Sequence, residues 1–219
     1  MDLHTNSKRL VPVFGSMLRW LPGDTEVLVS TGYFGDGDIV QFNLNTGIQT
    51  PLNVVTRFPS FDVSRDGRYV FYQGYASDGV SQVIKKFDRT SNAVETLTIG
   101  GAPDISPDGN KLLYGNDGTF VLDLNSGKLQ QVFEFPTSAI WGPNDCTIYF
   151  YNAIGYLMRR DCDGKIDTLY GTENLSGAFG PIDISPDGRV LLFNKFATDH
   201  YLRIWSLHLY SNRATQLTF

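Results

Sequence analysis

The chain has 219 residues, of which 42% are apolar, 13% aromatic and 19% charged, with 18 basic against 23 acidic side chains and a net charge of −5. That length supports one domain, residues 1–219, with a substantial core. The acidic balance, with no basic stripe to release counterions, argues against a nucleic-acid partner, and no apolar run of about 18 residues exists to insert into a membrane.

The first six residues, Met1-Asp2-Leu3-His4-Thr5-Asn6, lack the basic-then-apolar order of a secretion signal. Leu3, His4, Ser7 and Arg9 match Leu207, His208, Ser211 and Arg213 near the other end. Residues 1–12 therefore read as the strand c and strand d of a repeat whose first two strands are missing. Beyond them a tight turn recurs five times: Leu21-Pro22-Gly23-Asp24, Ser64-Arg65-Asp66-Gly67, Ser106-Pro107-Asp108-Gly109, Gly142-Pro143-Asn144-Asp145 and Ser185-Pro186-Asp187-Gly188. The second residues of these anchors are spaced 43, 42, 36 and 43 apart, a mean of 41, which is the period of a four-stranded propeller blade. Pro presets the first corner of the turn, Asp bonds back to local backbone, and Gly accepts positive φ before the next strand. Gly109 and Gly188 are expected to hold that conformation, with Gly67 in the same turn.

Each repeat reads as strand a before the anchor, strand b after it, then strands c and d. In the third repeat these are Ala102 to Ser106, Lys111 to Tyr114, Thr119 to Asp123 and Leu129 to Phe133. Strand b is apolar throughout in every copy, from Val27-Leu28-Val29 to Val190-Leu191-Leu192-Phe193, which predicts sheets covered on both faces. No sustained 3.6-residue apolar period exists, so helix content should be close to nil. The expected fold is all-β: a β-propeller of four-stranded antiparallel blades, with five full repeats plus a partial N-terminal strand element, in a chain that could belong to a longer propeller. An incomplete ring would leave open edges, through which the chain could pair as a homo-oligomer.

Cys146 and Cys162 are too few for a disulfide framework. A hairpin centred on Ile154 would set them opposite each other, but two separate thiols is the preferred expectation.

Ser-Pro-Asp-Gly followed by an apolar strand, an aromatic or aliphatic residue two before the Pro, and Gln216-Leu217-Thr218 closing strand d together resemble the TolB-type β-propeller repeat. The resemblance covers nearly the whole chain, although the first and fourth anchors depart from its signature. It implies rings of about six to eight blades that serve as protein-docking modules, as gating propellers of prolyl oligopeptidase-like peptidases, or as sensory domains, in periplasmic or extracellular settings. The repeat specifies fold and says little about activity.

Three sets of residues carry candidate chemistry. A peptidase would need the nucleophile elbow Gly-x-Ser-x-Gly, which is absent, so a gating propeller would have to act for a catalytic domain lying elsewhere. His4, His200 and His208 have no partners at ligand spacing, so neither a metal nor another cofactor is expected. Asp62, Asp104 and Asp183 stand three residues before their anchors, as channel acids on strand a, with Arg19 and Ile140 at the matching positions of repeats one and four. Such carboxylates either tie one blade to the next through backbone N–H groups, which is the preferred expectation, or bind a cation through oxygen ligands, or supply acid and nucleophile for glycoside cleavage as in five-bladed glycosidases. The b-to-c loops form the third set: Tyr33, Phe34 and Asp36; Tyr75 and Asp78; Phe196, Asp199 and Tyr201. Aromatics beside acids suit a peptide or sugar, and the reading preferred is a non-enzymatic module that docks a protein or peptide on this loop-rich face.

Overall fold

The computed structural model describes residues 15–32, 35–57, 60–152, 154–171, 180–196 and 201–218, and among them there are twenty strands and no helix. They fall into two compact units, Met1–Ile99 and Gly100–Phe219. The first unit holds two sheets. Sheet 1 comprises β1 (Met17–Trp20), β2 (Glu26–Ser30), β3 (Asp36–Asn43) and β4 (Gln49–Arg57); sheet 2 comprises β5 (Phe61–Val63), β6 (Tyr69–Tyr75), β7 (Gln82–Asp88) and β8 (Ala93–Ile99). The second unit holds three. Sheet 3 is β9 (Gly101–Ile105), β10 (Lys111–Gly115), β11 (Thr119–Asp123) and β12 (Leu129–Phe133). Sheet 4 is β13 (Ala139–Trp141), β14 (Ile148–Tyr151), β15 (Leu157–Arg160) and β16 (Ile166–Tyr170), and sheet 5 is β17 (Gly180–Ile184), β18 (Val190–Phe196), β19 (Leu202–His208) and β20 (Arg213–Gln216). Every sheet is an antiparallel meander in chain order, the blade of a propeller. The five predicted repeats are all present; the partial element expected over residues 1–12 lies outside the described residues.

The anchor turns explain why the meander starts where it does. In three of them the Ser hydroxyl donates to the Asp two residues on: Ser64 to Asp66 and Ser106 to Asp108 at 2.6 Å, and Ser185 to Asp187 at 2.7 Å. The same hydroxyls accept the N–H groups of Tyr69, Lys111 and Val190, the residues that open strand b. The Ser64 hydroxyl and the Arg68 N–H hold the Asp66 carboxyl below the usual carboxylate range, and Ser185 and the Arg189 N–H do the same for Asp187. Gly109 and Gly188 take φ values of 75° and 68° as expected, and Gly67 takes 73°. A Cβ on Gly109 would meet nothing within 4 Å, whereas one on Gly188 would lie 3.0 Å from Pro143 Cγ in the preceding anchor. Gly109→Val thus reads backbone strain alone and Gly188→Val adds a clash. Each is expected to cost more than about 1 kcal/mol in chemical denaturation, and unchanged midpoints for both would refute the turn argument.

Within the first unit, Leu28, Ile39 and Val54 of sheet 1 pack on Phe61, Val70, Tyr72 and Phe87 of sheet 2. Within the second, Leu113, Val121 and Phe133 of sheet 3 meet Trp141, Ile148 and Phe150 of sheet 4, with the Phe133 and Phe150 rings 4.1 Å apart. Ile140, Tyr149, Tyr151 and Leu157 of sheet 4 meet Leu191, Phe193 and Leu207 of sheet 5.

One expectation fails in sheet 5. The sixth residue after the anchor is buried in the first four repeats, as Leu28, Phe71, Leu113 and Tyr149; its counterpart Leu192 is only half-buried. At one strand-c position Ile39, Ile84, Thr119 and Leu157 are all 0% exposed, while Ile204 is 37% exposed and neighbouring Leu202 is 43% exposed. By strand alternation Val190 and Leu192 lie on the face opposite Leu191 and Phe193, and both are half-buried. Cover on this face is therefore thinner in sheet 5 than at the equivalent positions of the other sheets.

A second correction concerns the cysteines, which are joined, with Cα atoms 4.8 Å apart. The β14–β15 register pairs Ile148 with Arg160, and extending it outward by two residues sets Cys146 opposite Cys162. The hairpin centred on Ile154 therefore makes the cross-strand bridge rather than two separate thiols.

Candidate functional site

The strand-a position three before each anchor is occupied by Arg19, Asp62, Asp104, Ile140 and Asp183. Arg19 Nε lies 2.8 Å from Oδ1 of the buried Asp62, an ion pair that ties sheet 1 to sheet 2. Asp104 Oδ2 accepts the backbone N–H of Trp141 at 2.7 Å, and the Trp141 indole Nε1 donates to the Asp104 carbonyl at 3.1 Å, so sheet 3 is fastened to sheet 4. Ile140 contributes to the core between sheets 4 and 5. Asp183 is exposed, and its Oδ1 accepts the N–H of Ile184 at 2.7 Å. Two of the three acids thus bridge neighbouring sheets. Opposite charges at equivalent positions of consecutive repeats are the sequence signal for the pairing of Arg19 with Asp62.

Of the loop residues, Tyr33, Phe34 and Asp199 lie outside the described residues. Asp36 opens β3 and is the register partner of Arg57 in β4. The Arg57 guanidinium sits 4.4 Å over the ring of Tyr75, the last residue of β6, a cation–π distance. Asp36, Arg57 and Tyr75 therefore form one patch spanning both sheets of the first unit. Asp78 is used locally: its carboxylate accepts the Ser81 hydroxyl and the N–H groups of Val80 and Ser81, bonds that hold it below the usual carboxylate range. In the second unit Phe196 ends β18 opposite Leu202. Tyr201 is 66% exposed, with Arg203 5.2 Å over its ring. Arg57 lies on a different sheet from Tyr75, so only the fold shows that stack, whereas Arg203 follows Tyr201 by two residues and strand alternation sets both on one face. His4 and His200 lie outside the described residues, and His208 Nδ1 contacts the Ser211 hydroxyl at 3.2 Å. Among the described residues no three His, Cys, Asp or Glu side chains gather as metal ligands.

Repeated four-stranded meanders, fastened through strand a and each carrying an anchor turn, define a β-propeller. Many solved structures share this fold, among them the following three. TolB from Acinetobacter baumannii matches with a TM-score of 0.74 at 14% identity, over 92% of this chain and 53% of its own. A chain of the nidogen/laminin complex matches at 0.65 and 12% identity, over 92% of this chain and 79% of its own. An oligogalacturonate lyase in complex with manganese matches at 0.60 and 16% identity, over 89% of this chain and 62% of its own. No family model and no curated protein matches the sequence. The likeness is one of fold: the chain has a TolB-type β-propeller fold and spans about half the length of the TolB structure.

Proposed function

We propose that this chain is a non-catalytic propeller module, one domain over residues 1–219, that docks a protein or peptide on the face bearing its b-to-c loops. The observation that carries the reading is the recurrence of an arginine stacked on a tyrosine at that face, Arg57 on Tyr75 and Arg203 on Tyr201. Tyr and Arg are the side chains most enriched among interface anchors, because they present large contact area and directed bonds together. The nidogen/laminin match adds that this fold occurs within a protein–protein complex. The lyase match belongs to an enzyme, and the rival reading gives Asp62, Asp104 and Asp183 catalytic work. Asp62 and Asp104 are, however, already engaged in fastening sheets, which favours the structural role.

A photo-crosslinking residue placed at Asp78 or at Tyr201 should capture the partner, while the same group at Asn125, on a c-to-d turn, should not. With the captured partner in hand, Tyr75→Ala and Tyr201→Ala are each expected to weaken binding at least about tenfold, and Asn125→Ala to leave it unchanged. Equal affinity in all three would move the interface elsewhere. Turnover of a glycoside that disappears in Asp104→Asn would replace this reading with the enzymatic one.

A further inference from the structure

The second unit has a crevice of about 340 Å³ between sheets 3 and 4, at the end where the a-to-b and c-to-d turns lie, opposite the b-to-c loops. Val132, Trp141 and Ile148 form its apolar floor. Lys128 stands on one wall; Arg160 and the Cys146–Cys162 bridge stand on the other. Two acids in the lining accept backbone N–H groups. Asp145 accepts the Asp108 N–H at 2.8 Å, and Asp123 accepts the N–H groups of Asn125 and Ser126. Lys111 donates to the Asp145 carbonyl at 3.0 Å. Lys128 and Arg160, in contrast, have no carboxylate within ion-pair distance among the described residues. In a chain of net charge −5 this crevice thus gathers three cations, Lys111, Lys128 and Arg160, against two acids, with Lys128 and Arg160 outside ion-pair distance of either acid.

The wall bearing Lys128 leads into β12, the edge strand of sheet 3, whose Leu129, Gln130 and Gln131 are exposed. An edge strand offers a ladder of backbone groups to an extended peptide. We propose that this crevice binds an acidic peptide segment in extended form, lying along β12, with carboxylates on Lys128 and Arg160 and an intervening apolar side chain on the half-buried Val132. A lone phosphate or carboxylate ion would leave the apolar floor unfilled. A sugar acid would want an open aromatic face, and Trp141 is only 6% exposed. This surface is separate from the loop face and does not depend on it.

The test uses the full chain with its disulfide intact and a fluorescein-labelled pentapeptide of alternating Glu and Val, followed by anisotropy. Binding is expected, together with clear weakening as salt rises to about 0.5 M. The double variant Lys128→Glu/Arg160→Glu should lose at least about tenfold in affinity, while Arg213→Glu, an exposed charge reversal on β20, should bind as the parent does. A pentapeptide alternating Lys and Val should bind the double variant better than it binds the parent, which shows that the variant still folds and that charge sets the preference. Retained affinity of the acidic peptide for the double variant would overturn the proposal. So would equal binding of acidic and basic peptides to the parent, or displacement of the acidic peptide by a uronate trisaccharide at lower concentration than by unlabelled peptide. None of these outcomes bears on Tyr75 or Tyr201.

Discussion

Replacing Trp141 with alanine is expected to destabilise the protein by about 3–5 kcal/mol. The indole is buried in the core between sheets 3 and 4, against Leu113, Phe133 and Phe150, and the neighbouring sheets cannot close around the space without giving up their own strand pairing. One further cost follows. The Asp104 carbonyl loses its indole donor, and such a hydrogen bond contributes about 0.5–1.5 kcal/mol. Trp141→Phe keeps most of the buried area and removes only the donor, so the two variants separate packing from hydrogen bonding. The Trp141 backbone N–H still reaches Asp104 in both, which makes Asp104→Ala the complementary probe of the same joint. Urea denaturation supplies the measurement. A loss under about 1 kcal/mol for Trp141→Ala would mean that the sheets are held together by something other than this contact.

Removing the disulfide is the second large effect. Cys146 and Cys162 close a loop with a sequence separation of 16, and tethering the unfolded chain over a loop of that length stabilises the fold by about 3 kcal/mol in the chain-entropy description. The bridge fastens the a-to-b turn of sheet 4 to its c-to-d turn, on either side of the short strands β14 and β15. Those strands have four residues each, so the bridge replaces pairing that longer strands would provide. The variant Cys146→Ser/Cys162→Ser, and the parent in excess reductant, should therefore unfold at matching, lower denaturant concentration. Thiol titration of the denatured, unreduced protein should find no free sulfhydryl. Two free thiols, or identical stability with and without reductant, would overturn the assignment.

Much of this architecture was legible because it is local. The strands of the third repeat were placed within about one residue from turn chemistry and apolar runs alone, since Ser106, Asp108 and Gly109 form a closed hydrogen-bonding unit that needs no distant partner. The bridging role of Asp104 was legible as one of two readings, because an acid on an inner strand has few uses. The stack of Arg57 on Tyr75 was not legible. It joins the last strand of one sheet to the second strand of the next, a meeting set by how the sheets lean on each other and by the β3–β4 register shift between Asp38 and Val40. The cysteine bridge was visible in the hairpin arithmetic and was set aside on cysteine count, a statistical argument that the actual register outweighs. Nor does the sequence reveal that Leu192 and Ile204 are less covered than their equivalents, because the residues themselves are as apolar as those in the other repeats.

That last difference has a consequence for how the second unit comes apart. Sheet 4 is gripped on both sides, by Phe133 and Leu113 on one and by Leu191 and Phe193 on the other. Among the described residues of this unit, sheet 5 packs on sheet 4 through Leu191, Phe193 and Leu207, while Leu192 and Ile204 on its other face are less covered than their equivalents. The free energy needed to open a segment scales with such contact, and the unit consequently has a built-in order of release. Hydrogen exchange is expected to be faster in β18 and β19 than in β14 and β15, the fifth sheet opening before sheets 3 and 4.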